Sequence, residues 1–246
     1  MNARHQKFRL NVELRQVKDA AACFLHSLLL HRCVGKFEYS AEKHFTLGSL
    51  GFAEVDCENI DLTYVRINSD ELCANIDEHV CAFYSDVAES LTSHPPTPAS
   101  SPSSPPINRF GDPSSSSTQV MLGLEFLQKK KRQWPFSEEL ASWEVWNLGL
   151  EICRTSNDEL SVMRESVAEA LGDLVLAVCS QINRPQYMPK MPSKTELTSV
   201  FDVQFSDCQP YLYKVVTSTP LNRRLQASQR PLATIQSVIK NLAYPT

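Results

Sequence analysis

Hydrophobic residues change their spacing along this chain, and the order of those changes limits what it can fold into. Phe8, Leu10, Val12 and Leu14 alternate with polar neighbours, the period of a half-buried strand. From Val17 the spacing becomes three and four, through Ala20, Ala21, Phe24, Leu25 and Leu28, which predicts an amphipathic helix over 16–32 ended at Gly35. Extended pieces are expected at 36–47 and 60–67. Ser69 ahead of Asp70 and Glu71 reads as an N-cap, and Leu72, Ile76, Val80, Phe83 and Val87 form the stripe of a second helix. Strands follow at Val120–Phe126 and around Trp146–Ile152, the latter with Trp143 and Val145 on its opposite face. Ser156 with Glu159 forms a capping box for a third helix running to Pro185, roughly 40 Å long. Extended pieces at 199–205 and 211–217 and a weaker amphipathic stretch at 232–242 complete the pattern. Runs of adjacent strands between helices predict an α+β fold, a mainly antiparallel sheet with helices packed on one face.

Composition interrupts this pattern once. Residues 92–118 hold 7 of the 15 prolines and nine serines among almost no apolar side chains, too little burial to offset the entropy of ordering. The segment reads as a disordered insertion in a single domain spanning 1–246. Its Ser-Pro and Thr-Pro pairs fit a linker and are compatible with proline-directed phosphorylation.

Several function classes are excluded. Lys plus Arg number 24 against 28 Asp plus Glu, so a net charge of −4 gives nucleic acid no global attraction. Phosphate-cradling loops need glycine, and only 7 are present. There is no G-x-S-x-G elbow, H-E-x-x-H pair, Walker loop or G-x-G-x-x-G, so no catalytic residue and no cofactor are expected. The eight cysteines form no C-x-x-C pair and read as small buried hydrophobes of a reducing compartment, without a metal. His26 and His31 are five apart on a helix, a poor ligand spacing. Asp56, Glu58 and Asp61 read as a solvated loop. The longest apolar run, Ala20–Leu30, is broken by His26, so neither a membrane span nor a secretory leader is expected, which points to the cytoplasm.

One segment combines charge with large rings: Lys129-Lys130-Lys131-Arg132 followed by Gln133-Trp134-Pro135-Phe136, inside a connection of about 15 residues. Pro135 fixes its own φ and pushes Trp134 toward an extended backbone, so Trp134 and Phe136 project to one side as a stiff two-pronged tip. Rigid aromatics lose little entropy on docking and dominate binding hot spots. The alternatives are that both rings fold into the core, and that the basic run is an import signal, an anionic-membrane contact or a solvated strand end.

These residues, with Trp143-Glu144-Val145-Trp146 after them, resemble the signature of the autophagy-related protein 101 family, HORMA-domain subunits of the autophagy initiation kinase complex. Leu28-Leu29-Leu30-His31-Arg32, Thr63-Tyr64-Val65-Arg66, Pro189-Lys190-Met191-Pro192 and Gln209-Pro210-Tyr211-Leu212-Tyr213-Lys214 agree in the same order. The resemblance implies a HORMA-like domain acting as a non-catalytic adaptor. It would pair with and stabilise the HORMA domain of autophagy-related protein 13 within the Unc-51-like kinase complex, near the third helix. Trp134, Pro135 and Phe136 would form an exposed WF finger that recruits downstream autophagy factors to the site of autophagosome formation. The insertion at 92–118 and the stretch 219–230 depart from the family pattern. Two other readings remain: a peripheral membrane binder using the same loop, and a peptide-clasping HORMA factor in chromosome or checkpoint signalling.

Overall fold

A computed structural model describes residues 3–92, 118–130, 139–153, 159–184, 188–220 and 222. The segments 93–117 and 131–138, the latter holding the expected two-pronged tip, and the stretch expected to be amphipathic at 232–242 lie outside them.

The chain forms a mixed α+β structure around a four-stranded sheet in the order β1-β8-β7-β10. β1 (Arg4–Glu13) runs parallel to β8 (Glu139–Cys153), which pairs antiparallel with β7 (Thr118–Lys130), which pairs antiparallel with β10 (Tyr213–Ser218). The strand alternation in β1 is realised: Leu10 and Val12 are buried while Lys7, Arg9 and Asn11 on the other side are exposed. Leu14 leaves the strand for a 3-10 turn held by a capping box, in which Arg15 N–H donates to the Glu13 carboxylate and Glu13 N–H to Gln16 Oε1.

Helix α1 (Val17–His31) is buried nearly all round. The expected single apolar stripe is wider because α1 lies against the sheet, with Phe24 edge-on to Phe8, and also against β6 (Thr63–Ile67), α2 (Asp70–Thr92) and α3 (Leu160–Ile182). It ends at His31, not Gly35. Gly35 belongs to β2 (Cys33–Gly35), paired with β9 (Cys208–Pro210), and a Cβ there would stand 1.9 Å from Gly48 O, so close backbone approach requires the glycine. The single extended piece expected at 36–47 is a hairpin of β3 (Phe37–Ala41) and β4 (His44–Leu47), and β6 pairs with a strand the pattern did not show, β5 (Phe52–Asp56).

Helix α2 begins as predicted, with Leu72 N–H donating to Ser69 Oγ. It runs to Thr92, the first residue of the expected insertion, and β7 starts on its last, Thr118. α3 is shorter than expected, 23 residues or about 34 Å, and its N-cap position is Glu159; Ser156 and Pro185 fall outside the described residues. The extended piece at 199–205 is replaced by a helical turn, α4 (Leu197–Val200), and a single bridge from Phe201 to Tyr211. Cys23, Cys33, Cys73 and Cys208 are buried as anticipated, whereas Cys81 and Cys179 are exposed.

Candidate functional site

The hairpin of β7 and β8 carries the chain beyond the core. Its inner half packs inward through Leu122, Leu124, Trp146, Leu148 and Leu150, all fully buried, with Trp146 stacked on Phe8 at 6.1 Å. At Trp143 the register slips: Phe126 faces Glu144 while Leu127 faces Ser142, leaving Trp143 as the extra residue of a bulge. The bulge turns Trp143 into the core, contrary to the alternation expected beside Trp146. Its ring lies 5.7 Å from Phe126 and 5.5 Å from Tyr211, and its indole N–H donates to Leu127 O at 3.2 Å. Tyr211 continues into Phe201 at 4.4 Å and Phe37 beyond it, an aromatic wall where the hairpin leaves the body.

Past this wall the ladder persists through Gln128↔Ala141, Lys129↔Leu140 and Lys130↔Glu139, with Leu140 58% exposed. Pairing among the described residues leaves at most eight residues, 131–138, to join the two strands where the spacing suggested about 15, and Lys129 and Lys130 of the basic run are strand. Trp134, Pro135 and Phe136 belong to that connection and lie outside the described residues.

Behind the bulge a buried ion cluster ties four elements together. Glu144 accepts two hydrogen bonds from Arg32, from Nε at 2.7 Å and Nη2 at 3.2 Å, and a longer one from Arg4 at 3.4 Å. The two guanidinium groups also donate to the last carbonyls of α3, Arg32 to Ile182 O and Arg4 to Gln181 O, both at 2.6 Å. The arginines cap this end of the helix, Arg4 sharing Gln181 O with the Arg184 backbone N–H, while their charge suits its C-terminal dipole.

Beside the emerging hairpin, β7 brings Lys129 and Lys130 near Lys190, Met191 and Pro192, which precede α4. Together they line a cleft of about 530 Å³. Sequence spacing does not disclose this grouping, because Lys130 and Lys190 lie far apart in the chain. The only signal was that each belongs to a block shared with the family.

The remaining candidate groups have structural roles. Asp61 pairs with Arg164 at 2.7 Å, Asp56 accepts from Thr63 Oγ1, and His31 Nε2 contacts Cys179 Sγ at 3.5 Å. Among the described residues no cluster of three or more His, Cys, Asp or Glu side chains is placed to hold a metal, and no helix is long and apolar enough to cross a membrane.

Comparison with known proteins supplies the frame for this geometry. The family model described as Autophagy-related protein 101 matches residues 9–195, which takes in the second half of β1, Arg32 and Glu144 of the ion cluster, the β7 and β8 strands and α3. Autophagy-related protein 101 of Xenopus tropicalis is 36% identical over 216 residues, covering 87% of this chain and 88% of its own. The proteins of that name from Bos taurus and Homo sapiens are each 37% identical over the same coverage. The chain belongs to the Autophagy-related protein 101 family.

Proposed function

We propose that this chain is the HORMA-fold adaptor of the autophagy-initiating kinase assembly, recruiting downstream factors through Trp134, Pro135 and Phe136. Family membership establishes the coarser part, a non-catalytic adaptor role in autophagy. The finer part is supported by one observation above all. Strand pairing continues past the last aromatic packing layer to Lys130↔Glu139, so the ring-bearing segment joins the two strands at the far end of a hairpin that has left the core.

In this reading 1–246 is a single HORMA-like domain, with the Pro/Ser-rich insertion between α2 and β7. It works in the cytoplasm and is drawn to the site of autophagosome formation. It pairs with the HORMA domain of autophagy-related protein 13 through the α3 flank, and through that partner joins the Unc-51-like kinase complex.

Stability and recruitment are separable here. At a solvated tip, Trp134→Ala and Phe136→Ala should each change unfolding free energy by no more than about 0.5 kcal/mol, whereas burial in a core would cost about 3–5 kcal/mol. Denaturant melts decide between the two. Pull-down of the double variant should retain the HORMA partner and lose the downstream factors; a destabilised double variant would remove the recruitment reading.

A further inference from the structure

The lysine cleft at the root of the hairpin has a chemistry of its own. Lys129 and Lys130 are half-buried along β7, and Lys190 stands exposed across from them. Among the described residues none of the three ammonium groups is paired with a carboxylate. The one acid in the lining, Glu196, already accepts from Ser193 Oγ at 3.1 Å. The cleft therefore concentrates positive charge on a chain whose net charge is −4. With three lysines against the single carboxylate of Glu196, the lining carries an excess of positive charge that raises the energy of the empty site, and an anionic occupant relieves it.

The walls are rigid and partly apolar. Pro192 is buried, with its carbonyl accepting from Tyr39 Oη at 3.0 Å, and Lys194 N–H donates to Glu42 O at 3.0 Å, so the β3–β4 hairpin holds this segment in place. Val200 is buried in the floor, while Met191 is 48% exposed and offers a soft apolar contact.

We propose that this cleft binds an acidic peptide segment of a partner protein, one in which carboxylates alternate with apolar side chains. Three point charges spread over about 530 Å³ suit several separated carboxylates better than one compact anion, which is held by converging backbone N–H groups or arginine forks. A lipid surface reads charges on a face it can lie against, and Lys129 and Lys130, half-buried in a recess, do not present one. The apolar lining gives the peptide a contact that charge alone does not supply. The proposal stands on the cleft and does not require the finger.

The test uses the full chain and a fluorescein-labelled peptide of alternating Glu and Leu, with a Lys-for-Glu peptide as control, read by fluorescence anisotropy. The acidic peptide should bind and the control should not. Lys190→Glu and Lys130→Glu should each weaken binding by about tenfold or more, with Lys190→Arg close to wild type and thermal melts unchanged. Trp134→Ala, which probes the finger, should leave the affinity within about twofold, so the two readings fail separately. Equal binding of both peptides, or indifference to Lys190→Glu, would overturn the proposal. So would Lys190-dependent capture of the chain by phosphatidylserine vesicles without binding of the acidic peptide, or displacement of the peptide by millimolar inorganic phosphate.

Discussion

His26 shows how one side chain reports the way α1 is enclosed. It is 1% exposed, its ring stacks on Tyr64 at 6.0 Å, and its Nε2 has no hydrogen-bond partner among the described residues. Burial first, and the Arg66 charge second, lower its pKa from 6.5 to about 4. Between those values the unfolded chain binds a proton that the folded chain refuses. The stability associated with neutral His26 is thus fully present above pH 6.5 and is lost as pH falls toward 4. Between pH 7.5 and 5.0 the loss should be about 2 kcal/mol. Urea melts at the two pH values measure it, and His26→Leu, which fills similar volume without a titrating group, should flatten that difference.

At the scale of elements, the Arg4, Arg32 and Glu144 cluster joins β1, the end of α1, β8 and the last turn of α3. Both carboxylate oxygens of Glu144 are used, at 3% side-chain exposure. Glu144→Gln keeps the shape and removes the charge, leaving buried guanidinium groups without their counter-ion. It should cost about 3–5 kcal/mol, with native hydrogen exchange rising first in the final turn of α3. No periodicity announces such a cluster, since Glu144 lies more than a hundred residues from either arginine. Elements built on local spacing were legible: β1, α1, α2 with its Ser69 cap, and the run of α3. The β3–β4 hairpin was not, because its turn is Glu42-Lys43, without the glycine or asparagine that marks tight hairpins. The stretch 199–205 misled because Phe201, Val203 and Phe205 alternate like a strand, yet only Phe201 forms a bridge. Likewise the ladder beyond Leu127 is carried by pairing to exposed Leu140 and Glu139, so a basic run that reads as loop is partly strand. The cleft was not legible, since only folding brings Lys190 beside Lys130.

At the scale of the molecule, one face of the helical layer stays apolar and open. Between α1, β6 and α3 lies a groove of about 510 Å³ that includes Leu30, Val65, Val175 and Leu176. Leu176 is 67% exposed and Val65 41% exposed, a contiguous apolar surface of the kind that marks partner contact. Gly172 lies in the same groove, and a Cβ there would meet nothing within 4 Å. If pairing with the HORMA partner uses the α3 flank, two changes probe it in opposite ways. Leu176→Asp places a charge on the contact and should leave the free chain within about 0.5 kcal/mol of wild type, because the side chain already meets water. Gly172→Leu fills the groove and replaces a poor helix former, so the free chain should gain up to about 1 kcal/mol. Both should weaken pairing by about 2 kcal/mol or more, measured by titration calorimetry with the partner's HORMA domain. A chain made more stable yet less able to pair cannot be explained by unfolding. Full-strength pairing of both variants would move the interface off α3.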